Sequence, residues 1–143
     1  GVEHLTAKAP GSVFNPLRID EDIVKDRMHL PHQNGREVFK NAVKRMPEAI
    51  NVALEHNNLS VDDVSLVVAH QANRRILEAC ADRMKLPIEK MYINIQKYGN
   101  TTAATIPIAL CEAIEEGRFT KGDNIILTAF GAGYTWASAA IKW

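Results

Sequence analysis

Two polar side chains of this sequence, His70 and Asn100, stand thirty positions apart, each just after a predicted strand and before a predicted helix. A neutral imidazole and a carboxamide can both donate hydrogen bonds to one oxygen. Such a pair stabilises negative charge that develops on a carbonyl oxygen during a reaction. Neither side chain can hold an acyl group in the usual way. If these residues are catalytic, the reactive thiol or hydroxyl lies elsewhere.

Hydrophobic periodicity predicts the elements that position these residues. Residues 64–69 form a run suited to a strand buried on both faces, and residues 91–95, 125–130 and 134–142 are predicted as further strands. Helices are predicted over residues 36–55, 71–84 and 101–116, with Asn100 as an N-cap and Gly117 as a stop. Pro47 predicts either a kink in the first of these helices or two abutting helices.

The order of elements from about residue 27 is strand, helix, strand, helix, strand, helix, strand, strand. This alternation predicts an α/β domain with a mostly parallel, mixed sheet and helices on its faces, closed by one antiparallel hairpin around Gly131 to Gly133. Ligands of such sheets gather at the carboxyl ends of the strands. His70 and Asn100 both follow strands there. Residues 2–9 and 28–30 are the strand-like stretches of the looser first part.

Composition bounds the class of protein. The 143 residues carry 17 Lys plus Arg and 17 Asp plus Glu, so no net field favours nucleic acid or an anionic membrane. We find no apolar run long enough to cross a membrane and no signal-peptide pattern, and we expect a cytoplasmic protein. The two cysteines, Cys80 and Cys111, are both expected in the core, and no metal site is expected.

Three ordered motifs carry a resemblance to a known family. They are His-Gln-Ala-Asn-Arg-Arg-Ile at residues 70–76, Gly-Asn-Thr-Thr-Ala-Ala-Thr-Ile-Pro at residues 99–107, and Phe-Gly-Ala-Gly-Tyr-Thr-Trp at residues 130–136. Together with residues 35–40 they resemble the carboxy-terminal half of β-ketoacyl-[acyl-carrier-protein] synthase III. The resemblance implies half of a thiolase-like fold in which residues 27–143 form the domain.

By the same resemblance, residues 1–26 hold the end of a missing amino-terminal half and a linker. Residues 2–9 are then the last strand of that half, which has no native sheet to join. We expect this segment to be disordered or paired with another chain.

The chemistry that the resemblance implies is decarboxylative Claisen condensation of an acyl-coenzyme A with malonyl-acyl-carrier protein in fatty acid biosynthesis. The family uses a Cys-His-Asn set, and the cysteine belongs to the missing half. His70 and Asn100 would donate to the thioester oxygen, with His70 neutral because it precedes a helix. No cofactor is implied. The chain alone is expected to be inactive, and the full-length enzyme is expected to be a homodimer.

The glycine turn and its neighbour are assigned to the acyl pocket. The backbone N–H of Ala132 is the candidate for a second oxyanion donor, provided that its φ is negative or mildly strained. Phe130, Gly131 and Gly133 would line the pocket, although a plain hairpin turn and a core phenylalanine are the simpler interpretations.

Docking of the acyl carrier protein is assigned to the start of the second helix. The resemblance gives this role to Gln71, Asn73, Arg74 and Arg75, with the arginines meeting acidic or phosphate groups. A solvated charged pair is the simpler interpretation of Arg74. Two further alternatives stay open at this point: a non-catalytic carrier-binding or assembly module of the same fold, and one subunit of a split enzyme.

Overall fold

The computed structural model describes residues 1–9 and 19–143 of the chain. Six strands and five α-helices occur in these residues, with short 3₁₀ turns at Val61–Asp63, Ile88–Lys90 and Thr102–Ala104. In chain order the elements are β1 Leu5–Thr6, α1 Glu21–Lys25, β2 His32–Gln33, α2 Gly35–His56, β3 Leu66–Ala69, α3 Arg74–Met84, β4 Met91–Tyr92, α4 Ile95–Tyr98, α5 Thr105–Glu115, β5 Asn124–Gly131 and β6 Thr135–Lys142.

The chain divides into two compact units, one of residues 1–39 with 131–135 and one of residues 40–130 with 136–143. In the first unit β1 pairs antiparallel with β2, with Leu5 opposite Gln33 and Thr6 opposite His32. The expectation that this first segment is disordered or paired with another chain is therefore wrong for Leu5–Thr6. The strand expected at residues 28–30 is also misplaced, because those residues form a turn and the strand follows it. The boundary between residues 26 and 27 stays a prediction.

The second unit contains a four-stranded sheet in the order β4, β3, β5, β6. Strand β3 is parallel to both neighbours, with Val68 opposite Tyr92 of β4 and Leu127 of β5. Strands β5 and β6 are consecutive neighbours, and Asp123 and Trp143 bond across their far end. All four residues of β3 are buried, as expected for a central strand of a parallel sheet. The predicted α/β class and mixed sheet are confirmed.

Helix α2 runs without interruption through Pro47, so the prediction of two abutting helices is wrong. Its apolar stripe is buried in the second unit at Ala42, Met46, Ile50 and Leu54. The three- and four-residue spacing of these residues puts them on one face of the helix.

Helix α5 packs on β3 and forms one side of the core of the second unit. The buried residues of this helix are Thr105, Ala109 and Ala113, while Ile114 is 43% exposed. Small residues lie against the sheet because they allow the helix and the strands to approach closely. The buried core cluster consists of Leu66, Val68, Tyr92, Ala109, Ala113, Phe119 and Ile125.

Candidate functional site

His70 is placed by the end of the sheet. It directly follows β3, and its backbone N–H donates to the carbonyl of Thr128 in β5 over 2.9 Å, which extends the parallel ladder by one residue. The side chain is half-buried, and burial lowers the pKa of the imidazole below its usual value. The pKa is lowered in the direction that the sequence predicted, but the cause is burial and not the start of a helix. Helix α3 begins only at Arg74, with Asn73 as its N-cap, so it does not start at residue 71, directly after His70, as predicted.

Asn100 lies on an exposed segment after the short helix α4. The sequence predicted Asn100 as the N-cap of an α-helix. This is wrong, because a 3₁₀ turn lies between Asn100 and α5. Its Oδ1 accepts a hydrogen bond of 2.9 Å from the backbone N–H of Thr102. That bond fixes the amide orientation and leaves the amide nitrogen, which is the donor, available for another acceptor.

The turn Thr102–Ala104 connects Asn100 with His70. Thr102 holds Asn100 through its N–H, and its carbonyl accepts from Oγ1 of Thr105 over 2.9 Å. The same Oγ1 lies 2.6 Å from Nδ1 of His70. Thr102 has a φ of 54°, an uncommon conformation for a β-branched residue. Local strain of this kind persists where the surroundings enforce it. Here the N–H of Thr102 bonds to Asn100, and its carbonyl bonds to Thr105, which contacts His70.

A carboxylate holds the segment that leads to Asn100. Glu112 of α5, whose side chain is 12% exposed, accepts from Nδ2 of Asn94 over 2.8 Å, from the hydroxyl of Tyr98 over 2.9 Å, and from the ammonium of Lys97. The Lys97 and Asn94 donors lower the pKa of Glu112 to about 2. Both ends of helix α4 are therefore bonded to α5, through Asn94 at the start and Tyr98 at the end.

Gln71 does not lie on a docking surface, and this part of the sequence prediction is wrong. It is 1% exposed. Its Nε2 donates to the carbonyls of Ala69 and Tyr92 over 2.9 and 3.0 Å, and its Oε1 accepts from the N–H of Asn94 over 3.1 Å. The side chain joins the ends of β3 and β4, so a buried amide satisfies backbone groups that neither strand can pair.

The other predicted docking residues are exposed at the start of α3. Asn73 caps the helix, with its Oδ1 accepting from the N–H of Arg75 over 2.9 Å. Arg74 forms an ion pair with Glu78 one turn later, over 2.8 Å. Surface pairs of this type contribute little to stability, which fits the simpler interpretation of Arg74. Arg75 is exposed on the same turn.

The glycine turn joins β5 to β6 and belongs to the first unit. Gly133 has a φ of 135°, and a Cβ there would come within 2.9 Å of the Thr135 side chain, so glycine is required. Ala132 is not among the described residues with positive φ. This meets the backbone condition set for it, and its role as an oxyanion donor stays a prediction.

Phe130 lies in the second unit and is 7% exposed. Its ring stacks on Trp136, with the centroids 6.4 Å apart and the planes 16° apart. Arg45 in turn lies 5.1 Å from the Trp136 ring centroid. This is the packing of a core aromatic residue, the simpler of the two predicted interpretations.

The two cysteines differ. Cys80 is fully buried on α3, and burial raises the pKa of its thiol to about 12, so it is an unreactive core residue as predicted. Cys111 was predicted in the core and is exposed on α5. The reason is the stripe of that helix, which buries Ala109 and Ala113 and turns Cys111 to the other side.

Within residues 1–9 and 19–143, no group of three or more His, Cys, Asp or Glu side chains is arranged to hold a metal ion. Over the same described part of the chain, we find no helix with the length and apolar character needed to span a bilayer.

Three residues of this arrangement were missed by the sequence prediction: Thr102, Thr105 and Glu112. Thr105 interrupts the apolar residues near the start of a predicted helix, which is a weak signal for a hydroxyl with a partner. The signal could not be used because the sequence placed the helix start at residue 101, whereas a 3₁₀ turn occupies Thr102–Ala104 and the α-helix starts at Thr105.

Comparison with known proteins gives consistent matches. The family model for the 3-oxoacyl-[acyl-carrier-protein] synthase III C terminal matches residues 54–143. A protein of Chlorobium phaeobacteroides named β-ketoacyl-[acyl-carrier-protein] synthase III is 48% identical over 143 residues, which covers 100% of this chain and 43% of that protein. Its namesake from Koribacter versatilis is 47% identical over 133 residues, 93% of this chain and 39% of that protein.

Solved structures agree. The 3-oxoacyl-(acyl carrier protein) synthase III of Pseudomonas aeruginosa superposes with a TM-score of 0.86 and 34% identity over 99% of this chain and 42% of that one. The synthase III from Thermus thermophilus gives 0.78 and 47% over 80% of this chain and 36% of that one. The fold is thus the thiolase-like half predicted from the motifs, and the chain spans less than half the length of these relatives.

Proposed function

Since this chain belongs to the 3-oxoacyl-[acyl-carrier-protein] synthase III family and matches its carboxy-terminal part, we propose that it supplies the decarboxylating half of such a condensing enzyme in fatty acid biosynthesis. The observation that carries the proposal is the bonded path from His70 through Thr105 and Thr102 to Asn100. This path holds both side chains in place before a substrate arrives, and groups that are already positioned in this way can stabilise an oxyanion when their N–H groups face it.

The reaction begins with an acyl group carried as a thioester on a cysteine of the amino-terminal half. Malonyl-acyl-carrier protein loses CO2, and the electrons of the broken bond pass into an enolate whose charge rests on the thioester oxygen. His70 and Asn100 donate to that oxygen. The carbanion then attacks the acyl carbonyl, a carbon–carbon bond forms, and the cysteine leaves as the thiolate. Each preorganised donor is worth roughly 3 to 4 kcal/mol of barrier.

The remaining site residues have supporting roles in this proposal. The N–H of Ala132 donates to the acyl-enzyme oxygen, and Gly131 and Gly133 line the acyl pocket. Asn73, Arg74 and Arg75 meet the carrier protein at the exposed start of α3. Acyl-coenzyme A and malonyl-acyl-carrier protein are substrates, and no cofactor or metal takes part. Without the cysteine-bearing half the chain is inactive, and the complete enzyme is a cytoplasmic homodimer.

The test uses the assembled protein, by which we mean this chain together with an amino-terminal half that carries the cysteine, in one polypeptide or as a second chain. His70→Ala and Asn100→Ala are each expected to lower the rate of malonyl decarboxylation by about 10²- to 10³-fold. The matched controls are His56→Ala and Asn57→Ala, which change the same residue types at the exposed end of α2.

Rates near wild type for both site variants would remove the assigned role. Carrier binding without decarboxylation or condensation by the wild-type assembled protein would instead favour the non-catalytic module.

A further inference from the structure

The hydroxyl of Thr105 has two neighbours and only one proton. The carbonyl of Thr102, 2.9 Å away, can only accept a hydrogen bond. Nδ1 of His70, 2.6 Å away, either donates or accepts according to which ring nitrogen carries the proton. Only one arrangement makes both contacts hydrogen bonds. In it, Nδ1–H donates to Thr105, and Thr105 donates to the carbonyl of Thr102.

We propose that Thr105 is a positioning residue that sets the tautomer of His70, and that the resting enzyme holds the ring proton on Nδ1. The opposite arrangement, with Thr105 donating to Nδ1, would place lone pairs of two oxygens against each other at 2.9 Å. Thr105 is 3% exposed, so water has little access to replace either contact.

The tautomer decides what the other ring nitrogen can do. When Nδ1 carries the proton of a neutral imidazole, Nε2 has a lone pair and accepts hydrogen bonds. Donation to a thioester oxygen from Nε2 then requires the other neutral tautomer. The half-buried ring gains a proton from water at Nε2 and loses the Nδ1 proton to water, while the Thr105 hydroxyl turns from the Thr102 carbonyl to Nδ1. The resting state thus suits a step in which His70 accepts a proton, and the turned state suits a step in which it donates.

This consequence for catalysis rests on the proposed function, where each of the two steps has a place. Loading of the acyl group begins when the cysteine thiol of the other half gives its proton to Nε2 and the thiolate attacks the acyl-coenzyme A carbonyl. The coenzyme A thiolate leaves and takes that proton back. Decarboxylation of the malonyl group uses Nε2–H as a donor instead.

The direct test is ¹⁵N NMR of the histidine ring in the assembled protein, because protonated and unprotonated ring nitrogens have well-separated shifts. The His70 signals are assigned by their loss in His70→Gln. The expected result at pH 7 is a protonated Nδ1 and an unprotonated Nε2. A proton on Nε2 alone, or on both nitrogens, would overturn the proposal.

Variants separate the hydroxyl from its surroundings. Thr105→Val keeps the shape and removes both bonds, and it is expected to move the proton to Nε2. Thr105→Ser retains the hydroxyl and is expected to keep the wild-type tautomer. The matched control is Thr101→Val, since the Thr101 hydroxyl is buried without a hydrogen-bond partner among the described residues. The proposal is overturned if Thr105→Val leaves the proton on Nδ1, or if Thr101→Val moves it.

Should Thr105→Val fail to fold, the wild-type and Thr105→Ser spectra still decide the question. In the folded variant, the rate of acyl loading is expected to fall by about tenfold, because it follows the fraction of protein that still has the ring proton on Nδ1. The rate of malonyl decarboxylation is expected to change by less than about threefold. Equal losses in both steps would contradict the catalytic consequence. An assembled protein with the expected tautomer but no condensation would refute the proposed function and leave the assignment of Thr105 standing.

Discussion

His70 and Gln71 are adjacent in the chain, but their side chains differ in burial and in the hydrogen bonds that they make. Gln71 is buried and makes three bonds to backbone groups at the ends of β3 and β4. His70 is half-buried, and its ring contacts a hydroxyl that can rotate. The comparison shows that one residue bonds the ends of two strands together while its neighbour keeps a side chain that can take part in a reaction.

The largest effect on stability is expected from Gln71→Ala. The change leaves the carbonyls of Ala69 and Tyr92 and the N–H of Asn94 without their partner in a buried place. We expect a loss of about 2 to 4 kcal/mol in the free energy of unfolding. Thermal denaturation of the assembled protein checks this. The control is Gln96→Ala, whose exposed amide makes one bond to the Ile93 carbonyl, and an equal loss in both would refute the assigned role of Gln71.

A smaller effect on stability is expected from Glu112→Gln, with a distinctive dependence on pH. The folded-state pKa of Glu112 is lowered from 4.5 to about 2, so its stabilisation is fully present above pH 4.5 and is lost as the pH falls toward about 2. The variant lacks this ionisation. Urea midpoints measured from pH 6 to pH 3 should therefore converge for the two proteins at low pH. Parallel curves would show that ionisation of the Glu112 carboxylate does not cause the loss of stability at low pH.

Arg75→Glu is expected to affect function and leave stability almost unchanged, in contrast to Gln71→Ala. If the start of α3 receives the carrier protein, charge reversal should raise the KM for malonyl-acyl-carrier protein several-fold, while the KM for acyl-coenzyme A stays near wild type. Arg83→Glu, at the exposed far end of the same helix, is the control. Equal changes for Arg75→Glu and Arg83→Glu would place docking elsewhere.

The smallest effect on the free energy of unfolding is expected from the titration of His70. Its folded-state pKa lies below the usual 6.5, so the unfolded chain binds the proton more readily. Stability should fall as the pH drops below about 6.5 and continue to fall until the folded-state pKa is passed. The His70→Gln variant should lack this slope. NMR titration of wild-type His70 checks the cause, and a midpoint above 6.5 would contradict it.

The fold was largely predictable because its strands and helices carry strong periodic patterns. The run at residues 64–69 became β3, and the stripe of residues 36–55 became α2, since burial on one or both faces enforces such patterns over whole elements. Predictions failed where a few residues decide the structure. Thr102–Ala104 form a 3₁₀ turn rather than part of the first turns of an α-helix, and Cys111 is exposed on a helix whose apolar residues do not all face the sheet.

The motifs identified His70 and Asn100 as candidates, but they gave Gln71 the same role as Asn73 and Arg75. The distinction depends on the carbonyls of Ala69 and Tyr92, which lie far apart in sequence and meet only because β3 and β4 pair in parallel. A pattern along the chain does not contain that pairing.

The sequence alone determined the family, the α/β class and the two polar residues at the centre of the proposal, because these depend on local motifs and on periodic burial. Only the tertiary structure decided that hydrogen bonds through Thr102 and Thr105 link the two residues, and that the Nδ1 of His70 meets a hydroxyl. Hydrogen bonds are short-ranged and directional, so their partners are fixed only when distant segments reach their final positions.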